Sequence, residues 1–267
     1  MEDRIAYLRP GQIHQRLSRN PLVLISVGPL EWHGPHMPYG TDGLNAERVA
    51  MEVCRKVQGL LWPALFWGTE RERSPQVAAN LGFRGDQYIV GMDFPKASLR
   101  SSYCQEEIFA IVMRETLRQV QQVGARLAVV INGHGATNQW QVLERLANEW
   151  NAMPEMRVYV RTCFPMSNIR AGSIGHAAAD ETSMMMAMTK SVDIAALPGN
   201  RRPLRYADYS IVDGPGFDGK GPADKTVPAG DDPRRSASRA RGLAMCRRIT
   251  REITTEIRTL LKEYRQK

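Results

Sequence analysis

Two short apolar runs, Leu22–Val27 (LVLISV) and Arg126–Ile131 (RLAVVI), constrain this chain more than any other feature. Neither alternates polar with apolar residues, so each reads as a strand buried on both faces. Helical patterns fill the intervals between such runs. Leu44–Val57 reads as a helix and Leu60–Phe66 as a second strand. Gln105–Val123 carries Phe109, Met113, Thr116 and Val120 on one helical face and stops at Gly124. Trp140–Trp150 reads as a helix, Met156–Thr162 as a strand and Asp180–Lys190 as a helix. A final helix over Ser238–Tyr264 has Leu243, Cys246, Ile249, Ile253, Ile257, Leu260 and Tyr264 on one stripe. This alternation predicts an α/β fold with a mostly parallel central sheet covered on both faces. Gly68–Phe94 and Leu197–Pro233 are rich in Gly and Pro and read as long loops, of the kind used as binding loops or subunit contacts. No stretch reads as an interdomain linker, so residues 1–267 are expected to form a single domain.

Bulk properties narrow the functional classes. Hydrophobic content of 43% and charged content of 24% are those of an ordinary globular protein. No apolar run approaches the roughly 18–20 residues that span a bilayer, and the first residues lack the apolar core of a secretory signal. Cys54, Cys104, Cys163 and Cys246 are widely spaced with no C-x-x-C pair, so reduced thiols and a cytoplasmic setting are expected. The formal charge of +8 is concentrated from Arg234 to Lys267, where eleven Lys/Arg face only Glu252, Glu256 and Glu263. That segment reads as a solvated helix face. It lacks the interleaved aromatics of a base-stacking platform, so nucleic acid is not an expected partner.

The chemistry lies in three segments, which hold four of the five histidines. The loop after the first run contains Glu31, His33, His36 and Asp42. In an extended segment Glu31 and His33, two residues apart, point the same way and can meet one ion. Gly34, Pro35 and Pro38 exclude a regular helix, and Asp42 is the natural carboxylate to close a site or bridge two ions. The second apolar run empties into Asn132-Gly133-His134-Gly135. A third segment runs from His176 through Asp180 and Glu181 to Thr182. A lone buried histidine is more often a hydrogen-bonded core residue than a ligand, and the third segment's acids also suit a helix N-terminus. The following Met184, Met185, Met186 and Met188 read as core packing. Clusters at several strand exits favour a shared site, because ligands of such sheets bind beyond the carboxyl ends of the strands. Imidazole and carboxylate donors suit Zn, Mn or Fe. Dinucleotide, P-loop and nucleophile-elbow motifs are absent. Arg84 and Arg100 are candidates to hold an anionic or polyhydroxyl substrate, with surface positions as the plainer alternative.

The three segments resemble the creatininase (creatinine amidohydrolase) family. Its members carry E-x-H-G-P-H-x-P-x-G-T-D, here Glu31 to Asp42, then N-G-H-G, here Asn132 to Gly135, and H-A-x-x-x-E-T-S, here His176 to Ser183. The likeness extends to about Lys190. It implies a three-layer α/β/α fold, one or two divalent ions per chain and a homo-oligomer, commonly a hexamer. By position, Glu31, His33, Asp42 and His134 would be ligands, with Asp42 bridging. Creatininase has a ligating glutamate two residues after the second-loop histidine; this chain has Ala136 there, and Glu181 is the expected replacement. Creatininase also has a tyrosine where this chain has Gly135, which makes creatinine a poor substrate guess. Gly135 and His36 are expected at the substrate, His36 alternatively behind a ligand. The stretch Gly91–Glu107 and the form NGHGATNQ resemble the branch that opens the ring of an oxidised inositol, 3-dehydro-scyllo-inosose. Other branches deformylate a formamido-pyrimidine nucleotide or cleave a peptide in redox-cofactor maturation. The implied reaction is metal-assisted attack of water on a carbonyl, with His176 and Glu181 in catalytic roles. Two other classes compete: a basic nucleic-acid-binding protein with a structural metal, and a two-metal phosphatase. Structural zinc sites are usually rich in cysteine, and these segments have none.

Overall fold

Four parallel strands form the centre of the computed structural model, which describes residues 2–170, 175–199, 202–207, 210–214, 216–217, 219 and 227–265. β1 (Leu22–Val27), β2 (Leu60–Leu61), β3 (Leu127–Asn132) and β4 (Arg157–Thr162) lie in the order β2-β1-β3-β4. Leu22 of β1 is in register with Leu127 of β3, which is in register with Arg157 of β4. The helices are α1 (Pro10–Arg19), α2 (Thr41–Val57), α3 (Pro75–Asn80), α4 (Glu106–Gln122), α5 (Thr137–Asn151), α6 (Met166–Arg170), α7 (Ala179–Met188), α8 (Pro233–Ser236) and α9 (Arg239–Arg265). A separate antiparallel pair joins β5 (Tyr206–Ala207) to β6 (Ser210–Ile211).

The unalternated strands are buried on both sides, and the period of two divides their side chains between two cores. Val23, Ile25 and Val27 of β1 cluster with Ala128 and Val130 of β3, under Phe109 and Met113 of α4 and Val142 and Leu146 of α5. Leu22, Leu24, Leu127, Val129 and Ile131 form the opposite cluster with Val49 and Val53 of α2 and Ile249, Ile253 and Ile257 of α9. The result is three layers, helix on sheet on helix. Burying each such side chain contributes about 1.5–3 kcal/mol, so both faces are needed for stability.

The second strand is shorter than Leu60–Phe66, because the ladder ends at Leu61. Pro63 supplies no N–H and cannot continue it. The segment still follows β1 irregularly: Trp62 N–H donates to Leu24 O at 2.8 Å and Leu65 N–H to Ser26 O at 3.0 Å. Gly68–Phe94 is not a plain loop. Ser74 caps α3 by accepting from Val77 N–H, with Pro75 at the first helical position. Ala78, Leu81, Phe83, Ile89, Met92 and Phe94 then form a small core of their own with Val212 and Phe217. On α9 the apolar stripe faces inward, while Arg247, Arg248, Arg251 and Arg258 are exposed. Its Glu256 accepts from Tyr159 Oη at 2.9 Å and Arg161 Nε at 2.8 Å, clamping the edge strand β4. Among the described residues no helix is long and apolar enough to cross a membrane.

From β1 the chain moves outward to β2, and from β3 to β4 on the other side. The crevice of such a sheet opens where the strand order reverses, at the carboxyl ends of β1 and β3. The loops leaving those two strands are Gly28–Gly40 and Gly133–Ala136.

Candidate metal centre

Both loops are held by backbone contacts before any ligand is considered. Glu31 N–H donates to Tyr39 O at 2.8 Å, which closes the first loop and delivers Asp42 to the first turn of α2. Gly133 N–H donates to Val27 O at 2.9 Å. A Cβ on residue 133 would stand 2.0 Å from the Asp42 carbonyl oxygen. The first glycine of the second loop is therefore required by the approach of α2, whereas Gly135 faces open space. Gly133→Ala should destabilise the protein by about 1–3 kcal/mol through overpacking, read as a lower urea midpoint at unchanged slope. Asn132 brackets His134: its Nδ2 donates to His134 O at 2.8 Å and its Oδ1 accepts from His134 N–H at 3.1 Å.

Asp42 lies at the middle of the cluster. Its Oδ1 is 3.0 Å from His33 Nε2, and its Oδ2 is 2.9 Å from His134 Nδ1. Glu31 Oε2 lies 3.4 Å from His134 Nδ1, and Glu181 Oε2 lies 3.9 Å from His33 Nε2. Two groups of three donors can each hold an ion, Glu31–Asp42–His134 and His33–Asp42–Glu181, and they share Asp42. Glu31, His33 and His176 form a third such group. The donors are fixed from behind. His33 Nδ1 lies 3.0 Å from Glu31 O, so the ring donates there and turns Nε2 inward. Tyr103 Oη donates to Glu31 Oε1 through a short hydrogen bond. Ala177 N–H donates to Glu181 Oε2 at 2.7 Å.

The electrostatics favour a cation. Burial alone would lower the His33 imidazole, yet Asp42, Glu181 and Glu31 hold it up to about 10. His134 is likewise raised well above its ordinary value: burial opposes the shift, and Glu31 and Asp42 overcome it. Burial pushes Glu181 up to about 7, with His33 pulling the other way. His33 Nε2 is buried against Asp42 Oδ1 at 3.0 Å, and among the described residues His134 Nε2 is buried with no hydrogen-bond partner. A buried donor set of imidazole nitrogens and clustered carboxylate oxygens, with no cysteine, fits Zn, Mn or Fe. The raised histidines also set the sign of a pH effect. A metal must displace their protons and the part-occupied proton of Glu181, so binding at pH 7 should release about two to three protons per chain. Affinity should therefore rise with pH towards about 10, where His33 deprotonates. Calorimetry in buffers of different ionisation enthalpy measures the proton count.

His176 Nε2 lies 2.7 Å from Trp32 O and donates to it, leaving Nδ1 facing Glu31 Oε2 at 4.0 Å. Burial and the neighbouring His33 push His176 down to about 3, so its ring is neutral. A cavity of about 770 Å³ opens over the cluster, and Glu31, Asp42, His134, Gly135, His176 and Glu181 all line it. His36 does not. It is buried, with Nε2 3.0 Å from Thr182 Oγ1, beside Glu181 in sequence. That is the position of a residue packed behind a ligand, one of its two expected places. Arg84 pairs with Asp86 on the surface, and Arg100 donates to the carbonyls of Asp93 and Phe94. The arginines on the cavity wall are instead Arg71, Arg73 and Arg161. Sequence reasoning also missed Tyr103 and Glu70. Tyr103 falls inside the Gly91–Glu107 stretch already singled out, but no spacing marked it as a partner of Glu31.

The sequence matches the Creatininase family, creatinine amidohydrolase, over residues 6–257. No curated protein matches the chain. Solved structures share the fold. A glutamate-to-glutamine variant of creatininase of Zn-Zn type is 21% identical, with a TM-score of 0.66 over 97% of this chain and 98% of that one. A creatininase described as Mn is 20% identical, with a TM-score of 0.65 over 97% and 98%. A putative creatinine amidohydrolase from Bacteroides fragilis NCTC 9343 is 16% identical, with a TM-score of 0.59 over 95% and 94%. With a match that spans most of its length and a three-layer fold that agrees, the chain belongs to the creatininase family.

Proposed function

We propose that the chain is a divalent-metal-dependent hydrolase whose water attacks the carbonyl of a small cyclic substrate, opening the ring of an oxidised inositol such as 3-dehydro-scyllo-inosose or of a cyclic amide. The observation that carries this reading is the pair of buried donor groups sharing Asp42 on the floor of a substrate-sized cavity. Glu31, Asp42 and His134 would hold one ion, and His33, Asp42 and Glu181 the other. Bound there, divalent cations supply Lewis acidity toward a carbonyl and activation of water near neutral pH.

The chain's own residues do the rest. His176 is neutral, keeps its Nε2 proton on Trp32 O and offers Nδ1 toward the centre. It accepts a proton at Nδ1 and returns it to the leaving atom, carbon for a β-diketone-like ring or nitrogen for an amide. Glu181, tied by the Ala177 N–H, keeps its carboxylate directed at His33. Gly135 leaves room beside His134 for a substrate ring. The absence of a side chain there, and of a carboxylate at Ala136, supports a substrate other than creatinine. The same reading takes the protein as a cytoplasmic homo-oligomer acting on a small molecule.

The test is a substrate panel on protein loaded with Zn, Mn or Fe. Turnover of the inosose, or of a cyclic amide or formamido-pyrimidine, supports a carbonyl hydrolase and separates the branches. Turnover of p-nitrophenyl phosphate alone would replace it with a phosphatase.

A further inference from the structure

We propose that Glu70 is a positioning residue for His134, accepting a hydrogen bond from its Nε2–H so that Nδ1 is presented to the ion shared with Glu31 and Asp42. This rests on the metal reading above. Three of the other four donors have a visible partner behind them: Tyr103 for Glu31, the Glu31 carbonyl for His33 and the Ala177 N–H for Glu181. Asp42 lies between the two histidines, and His134 has an outward nitrogen to account for. Its Nδ1 faces Asp42 and Glu31, while its Nε2 is buried without a hydrogen-bond partner among the described residues. Glu70 faces that side, with Oε2 3.8 Å from Nε2. Its other oxygen, Oε1, is already occupied by the Arg71 N–H at 2.8 Å, so Oε2 is the acceptor left to face the ring.

A buried relay ties the two residues together. Thr69 N–H donates to Gln139 Oε1 at 2.9 Å, and Gln139 Nε2 donates to Asn132 Oδ1 at 2.7 Å. That same Asn132 oxygen accepts the His134 N–H. Asn138 Nδ2 lies 3.3 Å from Thr69 Oγ1 and secures the loop a second time. The residue before Glu70 is thus held to the backbone of His134 through side chains that are themselves buried. A metal-ligating histidine almost always donates its distal N–H to a carboxylate, carbonyl or water, and such partners are worth about 10–100-fold in metal affinity. In this chain that partner comes from the segment after β2, outside all three motifs that carry the ligands.

The experiment uses the full chain and zinc. In the zinc-loaded unmodified protein, ¹⁵N shifts of the histidine rings should show His134 coordinated through Nδ1 and protonated at Nε2. Glu70→Ala should weaken zinc binding by about 10–100-fold, with the circular dichroism and unfolding midpoint of the metal-free protein unchanged. Glu70→Gln keeps an accepting oxygen and should recover most of the affinity. Coordination of His134 through Nε2 would overturn the assignment without any variant, and so would a Glu70→Ala protein that binds zinc as tightly as the unmodified chain. If the unmodified chain takes up none of Zn, Mn or Fe, the metal reading itself fails and this role with it.

Discussion

Asp42→Asn should empty both halves of the centre and reduce turnover to background. Asparagine keeps the shape of the side chain but not its charge, and both donor groups depend on that one carboxylate. His33 Nε2 and His134 Nδ1 lie 3.0 and 2.9 Å from its two oxygens. Loss of an outer partner of a ligand already costs about 10–100-fold in affinity or activity, so loss of a shared donor should exceed about 10²-fold. Metal per chain and kcat/KM, measured on the same preparation, check it. A variant that keeps both ions would show that Asp42 does not join the two groups.

His176→Ala is the second large effect, and it should separate chemistry from metal binding. Removing a general acid or base typically costs about 10²–10⁴-fold in rate. Metal content should stay that of the unmodified protein, because the two groups sharing Asp42 do not need His176. The geometry makes this a real contest, since His176 also joins Glu31 and His33 in a possible third group, with its ring 4.2 Å from that of His33. If turnover and metal fall together, His176 is a ligand. If kcat does not change, it has no part in the reaction.

The parts of this protein legible in the sequence are those where one physical signal was strong. β1 and β3 are continuous apolar runs because each is covered on both faces, and α4 and α9 carry one unbroken apolar stripe. Glu31, His33, Asp42 and His134 come together because the loops of β1 and β3 leave adjacent strands, and the start of α7 brings Glu181, with His176 just before it, to the same cluster. α1 was invisible for the opposite reason: of its ten residues only Leu17 is buried. The end of β2 was overcalled because the apolar run continues past Pro63, where the ladder cannot. α3 had a readable start in Ser74-Pro75, but the Gly- and Arg-rich surroundings of a six-residue helix hid it. At the site, Tyr103 and Glu70 could not be read because each is a single residue in an irregular stretch. Only the fold brings Tyr103 onto Glu31 and Glu70 within 3.8 Å of His134. The sequence left two places open for His36, and the fold turns its ring back to Thr182, while Glu31 and Asp42 of the same motif line the cavity.

The most direct test of a metal centre built on Asp42 is metal content per chain, by elemental mass spectrometry after loading with Zn, Mn or Fe and desalting. Two donor groups with one shared carboxylate predict about two ions per chain. A desalted protein that retains no metal would contradict the centre and the hydrolase reading together.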